Sequence, residues 1–269
     1  MKKRLKTLFL RQRTKEPPVG LLDNTRVYAI GDIHGRLDLL QRVHQKILQH
    51  ALGYQGEKTV VYLGDYIDRG PQSKQVVDYL LSDPLSDFNS VFLLGNHEEV
   101  LMQFIEGCSF NVIQDWFSFG GLSTLQSYGV TFQGVPSVFD FNRFRKEFSA
   151  NCPAAHLNFY RNLRLSFQKG GYFFVHAGIK PKVSLRKQNN HDLLWIRDEF
   201  TNCQKKYEKI IVHGHSVTES PEIKANRIGL DTGAFASGRL TCAVFEGVDV
   251  DVLSTSVNPS DVLVTSHVA

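Results

Sequence analysis

Asp32 and His34 stand two residues apart in Gly31-Asp32-Ile33-His34-Gly35, a carboxylate and an imidazole that can face one point in space. Alone, such a pair also fits a polar loop ahead of a helix. The arrangement recurs, however. Asp65 follows Gly64 in Gly64-Asp65-Tyr66-Ile67-Asp68-Arg69-Gly70-Pro71, and Asn96 follows Gly95 in Gly95-Asn96-His97-Glu98. Further on, His176-Ala177-Gly178 and His213-Gly214-His215 add imidazoles. Together Asp32, His34, Asp65, Asn96, His176 and His215 exceed what one cation needs and match what two need. A carboxylate can give one oxygen to each of two ions, and Asp65 is the expected bridge. One site then takes Asp32, His34 and Asp65; the other takes Asp65, Asn96, His176 and His215. Mixed nitrogen and oxygen donors favour Mn, Fe or Zn over Mg or Ca. Two divalent ions are therefore the expected cofactors, Mn first, with Fe and Zn as alternatives.

Two ions roughly 3.5–4 Å apart can bind a shared hydroxide and aim it at phosphorus. The protein must then hold a phosphate and protonate a leaving oxygen. Arg69, four residues after Asp65, offers a planar fork for phosphate oxygens. His97, beside Asn96, is placed to donate a proton to the leaving alkoxide, and Asp68 to orient and charge that histidine. Glu98 can accept a hydrogen bond near the site, with a helix N-terminal charge the simpler reading. His213 is weighed as a support for the ligand set. His44, His50, His156, His191 and His267 are read as core or solvated residues.

These side chains need elements to present them. Arg26–Ile30, Thr59–Leu63 and Ser90–Leu94 are apolar, β-rich runs, each ending at a glycine just before a candidate residue. Between them, Leu37, Leu40, Val43 and Ile47 recur at helical spacing, and Pro71 suits the first turn of a second helix ending near Leu81. Strand and helix alternating at this spacing imply parallel strands joined by crossovers, an α/β arrangement. In an open α/β sheet, ligands bind at the carboxyl ends of the strands. Residues 107–165 are crowded with Phe, Trp and Tyr without strand alternation, and read as a mostly helical insertion partly roofing the site. Strand patterns return at Tyr172–Val175 and Ile210–Val212. Arg227–Leu230, Leu240–Glu246 and Val248–Leu253 read as a final antiparallel group.

At 269 residues with 42% hydrophobic content, the chain can bury a full core in one large domain. Residues 1–16 hold seven basic side chains against Glu16, a local net of +6 that exceeds the whole-chain +4 and leaves the remainder at −2. That balance argues against a nucleic-acid partner. The tail, with Leu5, Leu8, Phe9 and Leu10, is read as a solvated arm able to touch an anionic membrane surface weakly. Pro17-Pro18 marks a linker, so the expected division is a tail over 1–20, a catalytic domain over 21–257 and a polar C-terminal tail over 258–269. Cys108, Cys152, Cys203 and Cys242 form no C-x-x-C pair, and they read as reduced thiols of a cytoplasmic protein.

Gly-Asp-Ile-His-Gly, Gly-Asp-Tyr-Ile-Asp-Arg-Gly and Gly-Asn-His-Glu resemble the signature motifs of the phosphoprotein phosphatase family of calcineurin-like metallophosphoesterases. His176-Ala177-Gly178 and Gly214-His215 match the two remaining metal-ligand motifs, and the likeness runs from about Arg26 to Glu246. Leu193-Leu194-Trp195-Ile196-Arg197-Asp198 resembles the bacterial and phage loop that carries a second phosphate-binding arginine, here Arg197. The resemblance implies a central β-sandwich flanked by helices, with two metals at its edge. It implies a serine/threonine protein phosphatase acting on a phosphoprotein or phosphopeptide. Leu94 stands where eukaryotic members have arginine, and Ala177 where many have glycine. Asp231-Thr232-Gly233 and Gly238-Arg239-Leu240 are also similar to bacterial members that split dinucleoside polyphosphates. Those hydrolases usually carry glutamine at the place of His34, so the histidine favours the phosphatase reading. A non-catalytic scaffold is the third reading, disfavoured by the complete ligand set.

Overall fold

A computed structural model describes residues 20–134 and 136–255, together with the backbone of Ser266–His267. The basic tail lies outside the described residues, as does most of the C-terminal tail. The chain begins with β1 (Thr25–Ile30), α1 (Leu37–His50), β2 (Glu57–Tyr62), α2 (Ser73–Leu81), β3 (Asn89–Phe92) and α3 (Asn96–Glu106). Four helices follow: α4 (Phe110–Ser118), α5 (Gly121–Ser127), α6 (Phe141–Asn151) and α7 (Ala154–Arg161). Next come β4 (Ser166–Lys169), β5 (Tyr172–Val175), α8 (Asn190–Trp195), α9 (Asp198–Thr201), β6 (Ile210–His213), β7 (Glu222–Ile223) and β8 (Arg227–Gly229). Last are α10 (Ala234–Ser237), β9 (Thr241–Glu246), β10 (Asp249–Ser254) and β11 (Ser266–His267).

The strands form two mixed sheets. One runs β11-β10-β9-β1-β2-β3, the other β4-β5-β6-β8-β7. As the α/β pattern implies, β1, β2 and β3 pair in parallel. Two features depart from the sequence reading. The strand at Arg227–Gly229 does not join β9 and β10; it pairs in parallel with β6 in the second sheet. In turn β9 lies antiparallel to β1, which makes the first sheet mixed. A three-residue strand, Arg227-Ile228-Gly229, carries too short a pattern to choose between sheets, so pairing is settled by tertiary packing.

Alternation along the strands builds the layers. Val27 and Ala29 of β1, Val61 of β2, Tyr172 and Phe174 of β5, Val212 of β6 and Phe245 of β9 point into one shared core between the sheets. The opposite faces of β1 and β2, Tyr28, Ile30, Val60 and Tyr62, pack under α1, α2 and the aromatic helices. Phe173, Val175 and Ile211 turn to α8 and α9 instead. Each such fully buried side chain contributes roughly 1.5–3 kcal/mol. The result is two face-to-face sheets with helices on both outer sides, the expected sandwich. Most aromatics of residues 107–165 are buried, Trp116, Phe144, Phe148, Phe159 and Tyr160 among them, in the core they share with the outer face of β1 and β2. Phe110, Phe119 and Phe139 stay exposed. All four cysteines are free. Among the described residues no helix is long and apolar enough to cross a membrane.

Candidate active site

The loops leaving β1, β2, β3, β5 and β6 converge at one edge of the sandwich. The Asp65 carbonyl accepts the N–H groups of Ile33 and His34 at 3.0 and 2.8 Å, which ties the first two loops together. Gly214 N–H donates to the His176 carbonyl at 2.8 Å and ties the loops of the second sheet. Two glycines are required by contact. A Cβ on Gly95 would strike the Asp65 carboxylate, and one on Gly214 would strike that of Asp32. His34, Asp65, Asp68, Arg69 and His215 all hold positive φ, between 46° and 70°. For residues other than glycine this left-handed region is costly, and it concentrates at functional positions.

Asp65 is the centre of the site. Its Oδ1 lies 3.4 Å from His176 Nε2, and its Oδ2 lies 3.6 Å from His34 Nε2 and 3.8 Å from His97 Nε2. His34, Asp65 and His97 thus offer donor atoms within 4.8 Å of one another, as do Asp65, His176 and His215. Asn96 joins the second group: its Oδ1 is 2.8 Å from His176 Nε2 and 2.9 Å from His215 Nδ1. Asp32 is adjacent but turned, with its carboxylate accepting the His215 N–H at 3.0 and 3.2 Å. Burial and the neighbouring carboxylates of Asp231 and Asp65 push Asp32 well above the usual carboxylate range. Asp65 moves the opposite way. Burial opposes its charge, but His176, His97, His34 and His215 around it hold it low.

The protonation pattern fits cations between these groups. His34 Nδ1 sits 2.8 Å from the Ile67 carbonyl, and His176 Nδ1 sits 2.8 Å from that of Leu63. On His34 the Nδ1 therefore carries the hydrogen, and the inward Nε2 presents a lone pair to the Asp65 carboxylate, acceptor against acceptor. A divalent cation satisfies both sides at once. Burial, with the charge of His97, lowers His34 to about 3, which keeps its ring neutral. Burial and His176 lower His215 to about 2.

His97 is different. Its Nδ1 lies 2.6 Å from Asp68 Oδ2. Burial works against its charge, but Asp65 and Asp68 outweigh burial and raise it to about 9. At neutral pH its Nε2 therefore bears a hydrogen that points toward Asp65. Arg69 is half-buried on the same rim as His34, and Arg197 donates from its guanidinium to the His215 carbonyl at 3.2 Å. Of the residues singled out in the sequence, His34, Asp65, Asn96, His97, His176 and His215 cluster around the Asp65 carboxylate, while Asp32, Asp68, Arg69 and Arg197 border that cluster.

Three contributors carry no signal in the sequence, and a fourth, Glu98, is the hydrogen-bond acceptor that the sequence offered as the lesser reading. Glu98 is fully buried and accepts the N–H groups of Asp65, Tyr66, Ile67 and Gly95 at 2.8–3.2 Å, so it holds the Asp65 loop onto α3. Its place three residues into the helix after glycine was the available signal. Phe235 on α10 lies under Arg69 and edge-on to His34. Trp116 and Thr124 donate to Asp68. These last three carried no local signal. His213 is a core residue, its Nδ1 at 3.0 Å from the Gly214 carbonyl and its ring against Phe200.

A sandwich of two mixed sheets with a His/Asp/Asn cluster at its edge defines a metallophosphoesterase, and residues 25–253 match the model of the calcineurin-like phosphoesterase family. The chain belongs to that family. It is 25% identical over 252 residues to the Bis(5'-nucleosyl)-tetraphosphatase PrpE [asymmetrical] of Anoxybacillus flavithermus, covering 84% of this chain and 93% of that protein. It is 26% identical over 224 residues to Serine/threonine-protein phosphatase 2 of Escherichia coli K12, covering 80% and 90%. The fold is also that of a cold-active protein-tyrosine phosphatase from a Shewanella species, with a TM-score of 0.53 at 17% identity over 87% of this chain and 80% of that one.

Proposed function

We propose that this chain is a dinuclear-metal-dependent phosphomonoesterase that removes phosphate from serine or threonine residues of proteins. The observation that carries the reading is the split of the Asp65 carboxylate, with one oxygen toward His176 and the other toward His34. On this reading Asp32, His34 and Asp65 would hold one divalent cation, and Asp65, Asn96, His176 and His215 would hold the second. When bound, such a pair lowers the pKa of water and polarises a phosphoryl oxygen. Arg69 and Arg197 grip the remaining phosphate oxygens with their planar forks, and the Asn96 amide lies beside the same oxygens. His97 donates the Nε2 proton to the departing seryl or threonyl oxygen, and Asp68 stabilises its imidazolium through the 2.6 Å bond to Nδ1. The released alcohol is neutral, and His97 regains its proton from solvent.

Hydrolysis of dinucleoside polyphosphates is the second reading, supported by the name of the PrpE relative. The two named relatives differ by one percentage point in identity, so identity does not choose between them. The complete proton-donating pair supports the first reading, because an alkoxide needs a proton on leaving more than a phosphoanhydride does. A side-by-side assay of a phosphoserine and phosphothreonine peptide panel and of diadenosine tetraphosphate, with Mn added, tests it. A higher kcat/KM on the peptides is the expected result; a clear preference for the dinucleotide overturns it.

A further inference from the structure

Asp68 is fully buried, and its carboxylate is held by more than the histidine it supports. The indole Nε1–H of Trp116 donates to Oδ2 at 2.7 Å, the same oxygen that takes His97 Nδ1. Thr124 Oγ1 donates to Oδ1 at 2.5 Å. The Asp68 backbone N–H reaches Ser73 Oγ at 3.0 Å and Thr124 Oγ1 at 2.9 Å. Trp116 and Thr124 lie 48 and 56 residues from Asp68 in the chain, on α4 and α5. The turn between those helices and the start of α5 also touch the next residue: Arg69 N–H donates to the Gly120 carbonyl at 3.2 Å, and Ser123 Oγ to the Arg69 carbonyl at 3.3 Å.

We propose that Trp116 and Thr124 are positioning residues for the proton donor, fixing the plane of the Asp68 carboxylate so that His97 aims its Nε2 at the leaving oxygen. The proposal rests on the assignment of His97 as the acid. A carboxylate bonded only to one imidazole can rotate about its Cβ–Cγ bond and carry the ring with it. Donors on both oxygens, from two different helices, remove that freedom. The backbone adds to the need for restraint, since Asp68 and Arg69 both sit at positive φ, 70° and 67°. The competing account is that a buried indole must find an acceptor and Asp68 merely supplies one. Trp116 does pack in an aromatic core, its ring 5.0 Å from that of Phe104. Yet that account gives no role to Thr124, which restrains the other oxygen.

The test compares a phosphoserine peptide with p-nitrophenyl phosphate, whose leaving group barely needs a proton. General acid catalysis is typically worth about 10²–10⁴ in rate, and partial misalignment should remove about tenfold of it. Trp116→Phe keeps the ring and deletes the N–H; Thr124→Val keeps the shape and deletes the hydroxyl. Each should lower kcat on the peptide about tenfold, with a much smaller loss on p-nitrophenyl phosphate and little change in KM. Thr124→Ser should restore the peptide rate. Equal losses on both substrates, or a Thr124→Val rate equal to wild type on the peptide, overturn the proposal. His97→Ala is run alongside. A leaving-group-selective loss there together with parallel losses in Trp116→Phe overturns only the positioning role. A non-selective loss in His97→Ala, with its metal content intact, removes the acid assignment and this inference with it.

Discussion

The guanidinium carbon of Arg69 lies over the ring of Phe235, 4.3 Å from its centroid. The same ring meets His34 edge-on at 5.5 Å, so one aromatic side chain braces both the arginine proposed to bind phosphate and a histidine proposed to hold metal. A cation held over a ring in this way keeps N–H groups to offer an anion.

Loss of that brace should weaken phosphate binding. A cation–π contact contributes about 0.5–2 kcal/mol, so Phe235→Leu should raise KM and the inhibition constant of inorganic phosphate about 2- to 30-fold. Phe235→Tyr should behave like wild type. Steady-state kinetics with phosphate as inhibitor checks both.

Metal should act as a staple between the sheets. Asp32, His34, Asp65 and Asn96 come from loops of the first sheet, His176 and His215 from loops of the second. Chelation should abolish hydrolysis and lower Tm, and Mn should restore both. At a free concentration 100 times Kd, each ion adds about 2.7 kcal/mol by linkage. Asp65→Asn should lose metal stoichiometry in elemental analysis as well as rate.

Glu98 is expected to matter for stability and turnover together. Glu98→Gln keeps the shape but replaces one accepting oxygen by an NH2 group facing N–H donors. Leaving buried donors unpaired costs about 1–3 kcal/mol each. Urea denaturation should show a loss in that range or above it. The reaction rate should fall as well, because Asp65 rides on the same loop.

His44 supplies a pH dependence away from the site. It is buried between the hydroxyls of Tyr62 and Tyr79, at 3.1 and 3.2 Å, and burial lowers it to about 3. In the unfolded chain its pKa is about 6.5. The unfolded state therefore binds the extra proton. Stability is complete above about pH 6.5 and falls toward pH 3, by up to about 1.4 kcal/mol per pH unit. Denaturation at pH 7 and pH 5 should show this drop, and His44→Gln should reduce its slope by up to about 1.4 kcal/mol per pH unit, the share of one proton.

The strand ends were legible because two signals coincide there: an apolar run stopped by glycine, and a side chain able to bind metal or phosphate. That recurrence exposed Asp32, Asp65 and Asn96 and the parallel order of β1, β2 and β3. It could not assign Arg227–Gly229 to a sheet, since three buried residues carry no record of their neighbours. Nor could it reveal Trp116, Thr124 or Phe235. Each reaches the site across long sequence separation from a helix whose own pattern reports only packing. Trp116 reads as core and is core; its one polar atom makes the difference.

The left-handed backbone at Arg69 sets activity against endurance. Residues other than glycine hold such a conformation at a cost of about 1–2 kcal/mol, which glycine largely avoids. Arg69→Gly should therefore survive heating better than wild type, less the contact with Phe235, while binding phosphate poorly. A selection for thermal tolerance alone would drift toward glycine at this position, and a selection for turnover would restore the arginine.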